Sequence, residues 1–307
     1  MEFSIVLRQV LILFIILVIG SVASKFNILD SNGSKKISEI LLYIATPMMI
    51  FSSFFIEFSQ ELLVNVIWVL GFSTIMFIVS IILSKHIYRK FNINAAPILR
   101  FTAVFSNCGY MGIPLMKAVF GDEGAFYGSF YVVIFYVFLW SYGYIILGEK
   151  DTMAKTIKRV LLNPSMIAVY VGTIVFLFSI PVPEVIKGAA KSVGDMTMPL
   201  SMLIVGAATS NTRFVSLFSD WKVYVSSLVR LVLMPVLAFL ISLLAGVPSL
   251  PSIIIVTALA MPAAATVAVF AETFDKDTVF ASKCVTVSNL LSIITIPAII
   301  SWVASYI

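Results

Sequence analysis

The chain has 307 residues, of which 61% are hydrophobic and only 11% charged, with a mean hydropathy of +1.09. Soluble globular domains carry charge on about a quarter of their residues, so this composition excludes them and reads as an integral membrane protein. The formal charge of +5 needs no nucleic-acid partner, because no basic face interleaved with aromatic residues is present.

In chain order, apolar runs predict spans at 3–24, 36–56, 62–84, 97–120, 124–148, 160–180, 184–208, 221–245, 251–271 and 278–305. Each is close to the ~20 residues that cross a bilayer as a helix, and the runs are too long and continuous for barrel strands of roughly ten residues. The fold expected is therefore an all-α polytopic bundle of ten transmembrane helices. The small residues of "GSVAS" (Gly20–Ser24) offer a cleavage point for a leader, but the repeat described below needs the first helix as a span.

Basic residues in short loops orient the bundle. With the N-terminus outside, Lys25, Lys35, Lys36, Lys85, Arg89, Lys90, Arg100, Lys150, Lys155, Lys158, Arg159, Arg213, Lys222 and Lys276 fall on the cytoplasmic side or its edge. Lys117, Lys187 and Lys191 fall on the other. Both termini are then expected outside the cell membrane. Cys108 and Cys284 lie within spans and give no disulfide framework or metal pair, and His86, the single histidine, sits at a loop edge beside Lys85.

Features recur at half-chain spacing. Pro47 in "IATPMMI" and Pro199 in "MTMPLSM" stand 152 residues apart, Pro97 and Pro251 stand 154 apart, and "VFGDEGAFYGS" from Val119 aligns with "VFAETFDKDTVFAS" from Val269. These pairs map helix two on seven, four on nine and five on ten. The units are 1–150 and 151–307, and five helices per unit make the second copy inverted. Helix four carries "FSNCGYMGIPL" (Phe105–Leu115), where Gly109 and Gly112 weaken the helix and Pro114 removes a backbone donor. Its counterpart in helix nine is "LAMPAAATVAV", with Met261 and Pro262.

Taken singly, each glycine reads as a packing residue and each proline as a tolerated kink. Two breaks paired across the repeat read instead as a binding site, where broken helices meeting near the midplane expose backbone groups and positive half-helix ends to an anion. Asn107, a carboxamide at the midplane, then needs a partner from a neighbouring helix or a substrate.

Asn107, Gly109, Gly112, Pro114 and Leu115 of that motif, "MPLSMLIVGA" in helix seven, "MPAAATVAVFAETF" in helix nine, and Asn163 with Pro164 opening helix six resemble the auxin efflux carrier family. That family includes the plant PIN-FORMED proteins and bacterial relatives assigned to malate or malonate transport. The resemblance covers essentially the whole chain. It implies ten helices in two inverted five-helix repeats, a crossover of broken helices four and nine, and elevator-type alternating access. It further implies that helices one, two, six and seven are the scaffold and that three to five and eight to ten move. The third helix here, "VNVIWVLGFSTIMFIVSIIL", lacks the ionisable pair associated with plant members, so auxin is not the expected substrate. The short "GEKDTMAKTIKR" segment leaves no room for the long loop of some plant carriers.

Arg230 lies about nine residues into helix eight, a candidate for a substrate carboxylate beside the alternatives of snorkelling and a structural partner. Lys283, some five residues into helix ten, is a candidate of the same kind or an interface anchor, and Asn289 and Ser129 are candidates to face the crossover. Arg8 snorkels by default, while Asp195 and Glu39 read as acids at helix starts. Helix five contains no carboxylate, which disfavours a proton-relay antiporter; Asp122, Glu123 and Glu272 read as solvated loop-edge groups. Nothing resembles an intramembrane hydrolase, a zinc motif or a phosphate loop.

The expected protein is a secondary carrier of small organic anions, mono- or dicarboxylates, and not an enzyme. It has the bilayer as its partner, a homodimer as a candidate assembly and no cofactor. A sodium-coupled symporter of the bile-acid carrier type and a non-translocating membrane sensor are the alternatives.

Overall fold

The computed structural model describes residues 3–148, 152–210 and 220–306, and every named element among them is helical. In lipid a chain must satisfy its backbone within itself, which a helix does residue by residue. The first element is α1 (Phe3–Lys25). It is followed by α2 (Ser31–Ile40), capped by Asp30, which runs through a π-helical turn into α3 (Thr46–Ser53). Next comes α4 (Gln60–Ile87), whose Ser59 cap accepts from the Leu62 N–H.

The first interrupted region consists of α5 (Ala95–Val104), a π-helical turn at Cys108–Gly112 and α6 (Ile113–Phe138). The run continues through another π-helical turn into α7 (Tyr144–Leu147). Then follow α8 (Met153–Leu161), α9 (Pro164–Leu177), α10 (Glu184–Gly194) and α11 (Thr197–Ser210). Beyond the described gap, α12 (Trp221–Leu228) joins α13 (Met234–Leu244) through a π-helical turn containing Arg230. The second interrupted region is α14 (Ser249–Ala260) and α15 (Thr266–Thr273), and α16 (Thr278–Ala304) is last.

Among the described residues, five helical stretches are long and apolar enough to cross a membrane: Val6–Lys25, Gln60–Ile87, Cys108–Leu147, Trp221–Leu244 and Thr278–Ala304. A sixth arises if α8 and α9, bent by 61°, count as one. The helices α5 and α14 are apolar but shorter, because each stops at a break. The long run from Cys108 turns over at Gly121, whose φ of 71° and ψ of −158° suit a residue without Cβ. That turn falls between the fourth and fifth expected spans.

One local expectation is corrected. Glu39 does not start a helix; it sits near the end of α2 and pairs with Lys36 at 3.0 Å. Asp195 follows the end of α10 and stands two residues ahead of the start of α11, as expected of an acid at a helix start, and it also pairs with Lys117 of α6 at 2.8 Å. Arg213 lies outside the described residues.

The interior forms two clusters. The larger is rich in rings, with Phe77, Phe101, Phe105, Tyr131 and Phe135 interlocked around α4, α5 and α6. The smaller joins α1 and α11 to the far half of α16 through Val10, Leu13, Leu17, Met202, Val205 and Ile300. Here α1 and α11 pack backbone to backbone: a Cβ on Gly20 would run into the Leu203 main chain, and one on Gly206 into the Leu17 carbonyl. Small residues permit such an approach where no hydrophobic effect drives helices together.

Candidate functional site

The two breaks lie against each other where the clusters meet. Cys108, Ile113, Ala260 and Ala263 belong to the larger cluster, and Met111, Leu115 and Met261 to the smaller. Ser106 and Ala263 form an antiparallel bridge. The Asn107 N–H donates to the Pro262 carbonyl at 2.7 Å, and the Ala264 N–H donates to the Phe105 carbonyl at 3.0 Å. Each break thus supplies an extended segment that satisfies part of the other's backbone.

The rest of the backbone accounting explains why a greasy helix carries particular polar residues. An α-helix would pair the Asn107 N–H with the Ala103 carbonyl and the Ala263 N–H with the Leu259 carbonyl, and both pairs are lost here. Arg230 replaces the lost donors. Its NH1 donates to the Ala103 and Val104 carbonyls at 2.8 and 3.2 Å, and its NH2 donates to the Leu259 carbonyl. Ser288 of α16 supplies the missing acceptor, its Oγ taking the Ala263 N–H at 3.1 Å. Further on, Pro114 has no N–H for the carbonyl four residues earlier, that of Tyr110. The Ser201 hydroxyl of α11 donates to that carbonyl at 2.9 Å.

Arg230 is fully buried, and its Nε has no partner. Among the described residues its hydrogen bonds all go to carbonyls, and it forms no ion pair. Its charge sits at the C-terminal ends of α5 and α14, the ends that carry partial negative charge. With those ends offset, the N-terminal ends that begin after the breaks, at Cys108 and Thr266, keep their partial positive charge. The electrostatic balance of the paired breaks is therefore positive.

The structure places the remaining candidates individually. Asn107 is 4% exposed, its carbonyl accepts from the Met111 and Gly112 N–H groups, and its Nδ2 has no partner. Gly109 and Gly112 have different surroundings. A Cβ on Gly112 would meet Met261 Cγ at 3.3 Å, whereas one on Gly109 would meet no atom within 4 Å. Gly112 is a packing glycine, and Gly109 borders open space. Pro114 stands in the first turn of α6, and Met261 is wholly buried.

Asn289 is buried beside Ser288; its Nδ2 donates to the Val285 carbonyl at 2.9 Å and its Oδ1 is unpartnered. Lys283 is half-buried on α16, five residues before Ser288, about 7.5 Å along the axis. No hydrogen bond or ion pair brings it to the breaks. Ser129 bonds to Ser53 of α3 at 3.2 Å. Reading the sequence did not single out Ser288, Ser201, Ser106 or Tyr131, although the last two carry unpartnered buried hydroxyls. Serines in an apolar helix give no sign of which backbone they will reach.

A cavity of about 290 Å³ opens between α3, α6 and α10. Its lining includes Ser53, Lys117, Asp122, Ala125, Lys187 and Lys191. Lys117 is held by Asp195 and Lys187 by Glu184 at 2.9 Å, while Lys191 has no ion pair among the described residues.

Paired, polar-lined breaks inside an apolar bundle are the architecture of a carrier, and the comparison with known proteins agrees. Residues 5–300 match the profile of the family described as Membrane transport protein. The chain belongs to that family. Its members are the auxin-efflux-like membrane transporters and not enzymes. This transporter is also similar to an uncharacterized transporter of Methanocaldococcus jannaschii, at 24% identity over 96% of this chain and 97% of the relative. A second uncharacterized transporter, from Methanothermobacter thermautotrophicus, is 25% identical over 94% of this chain and 96% of the relative.

Proposed function

We propose that this transporter is an elevator-type secondary carrier of small organic anions, mono- or dicarboxylates, whose site is the crossover of the two broken helices. The observation that carries the reading is Arg230: a fully buried guanidinium at the breaks, held by carbonyls and facing no carboxylate among the described residues. A buried cation without a counter-ion is costly, and a bound anion lowers that cost. Asn107 Nδ2 is the donor left for a substrate oxygen, and Gly109 is the open approach to it.

In this reading the chain forms ten transmembrane helices in two inverted repeats, 1–150 and 151–307, in the cell membrane with both termini outside. The broken fourth span is α5 with the start of α6, and the broken ninth is α14 with α15. The mobile body holds α4 to α7 and α12 to α16, and the scaffold holds α1 to α3 and α8 to α11. The cavity between α3, α6 and α10 is the vestibule, where Lys191, which has no ion pair among the described residues, is the ammonium left to meet an anion ahead of the crossover. The carbonyl-bound Arg230 stays fixed to both breaks while they travel together.

Purified protein in proteoliposomes tests this with a radiolabelled panel of mono- and dicarboxylates under imposed proton, sodium or electrical gradients. Saturable uptake that unlabelled carboxylate competes away is the expected result, and the gradient that drives accumulation identifies the coupling. Uptake of organic cations or neutral solutes, with none of carboxylates, would overturn the substrate class. Saturable carboxylate binding without flux would overturn the carrier.

A further inference from the structure

Arg230 also decides which states of the site cross the membrane easily. It stands nine residues from one end and fourteen from the other of Trp221–Leu244, a stretch long and apolar enough to span. Among the described residues it is the one charged side chain that is buried. Its partners are three carbonyl oxygens, which solvate a charge without cancelling it. The titratable side chains that face it are those of Tyr131 and Cys108, a phenol and a thiol, groups that are ordinarily neutral at pH 7.

A charge count at the breaks follows. Each interrupted region contributes one helix C-terminus and one helix N-terminus, roughly −0.5 and +0.5 of an elementary charge, so the helix ends cancel. Arg230 then leaves the empty site at about +1. One bound carboxylate brings it to neutrality, and a dicarboxylate overshoots to about −1. A net charge resists transfer through the membrane whichever its sign, so the site loaded with a monoanion is the state that crosses freely. A carrier whose positive charge came from a bound sodium ion could release that ion before returning. A side chain cannot leave, so the empty site keeps its charge on the way back.

We infer that this carrier is an exchanger of carboxylate monoanions: the loaded, neutral site crosses in both directions, and the empty site, bearing the unneutralised charge of Arg230, returns slowly. The inference rests on the function proposed above, since it takes the paired breaks to be the site that moves. Exchange of one monoanion for another then moves no net charge, whereas net flux moves one charge per cycle on the empty return.

The test compares proteoliposomes preloaded with an unlabelled carboxylate and empty ones, using radiolabelled lactate, pyruvate, succinate and malate, each against itself. The monocarboxylates are expected to enter preloaded vesicles at least about tenfold faster than empty ones. Net entry into empty vesicles sends a positive site back outward. An inside-positive potential, set with potassium and valinomycin, should therefore speed it, by up to about fortyfold per 100 mV for a full charge. Exchange should ignore the same potential. Equal rates in preloaded and empty vesicles, net entry indifferent to the potential, or flux confined to the dicarboxylates would overturn the inference and leave the carrier standing. No flux of any carboxylate in either kind of vesicle would overturn the proposed function and the inference with it.

Discussion

Two helix contacts in this molecule solve the problem of life in lipid in opposite ways. Where α1 meets α11, both backbones are satisfied within their own helices, and Gly20 and Gly206 let them touch. Where the two breaks meet, the backbones are satisfied by each other and by three side chains from elsewhere, Arg230, Ser288 and Ser201. The first contact uses shape alone and leaves nothing for a ligand. The second requires polar groups at depth, and once their geometry is met it leaves surplus donors: Asn107 Nδ2 and Arg230 Nε. A binding site in a membrane bundle is, on this comparison, what remains after a broken backbone has been repaired.

The comparison breaks most visibly at Arg230. Arg230→Met should orphan three carbonyls at about 1 to 3 kcal/mol each, enough to abolish recovery of folded protein in size-exclusion chromatography. A well-folded variant would show that the breaks need no such donor. Next, Gly206→Leu should separate α1 from α11, costing about 1 to 3 kcal/mol of overpacking or more, read as a lowered thermal midpoint in detergent. Ser288→Ala removes one acceptor from a buried N–H, so a loss of about 1 to 3 kcal/mol is expected, with Ser288→Thr restoring part of it. Gly109→Ala sits at the small end. Its Cβ meets nothing within 4 Å, so stability should hold or rise by about 0.4 to 1 kcal/mol. A lowered carboxylate affinity at unchanged stability would place the ligand's path there, and unchanged transport kinetics would show that the space is unused.

The breaks were legible in the sequence because their signals are local: Gly109, Gly112, Pro114 and Pro262 restrict or free the backbone wherever they stand. The roles of the polar residues were not. The position of Arg230 along its helix states a depth, which suits a substrate ligand, a snorkelling cation and a carbonyl donor equally, and only the packing of α5 and α14 against it selects among them. The same limit explains why Gly109 and Gly112 looked alike in the motif, though one borders open space and the other receives Met261. Asp195 reads correctly as an acid ahead of a helix, but its pairing with Lys117 was not legible, since that partner is 78 residues away. The bend at Asn163–Pro164, by contrast, follows from two neighbouring residues.

The most direct test of the central claim is carboxylate uptake by Asn107→Ala beside wild type, in matched proteoliposomes, with thermal unfolding as the control. Asn107 Nδ2 has no partner among the described residues, so the variant should unfold within about 1 kcal/mol of wild type and yet lose saturable uptake. Full uptake by the equally stable variant would contradict a site at the paired breaks.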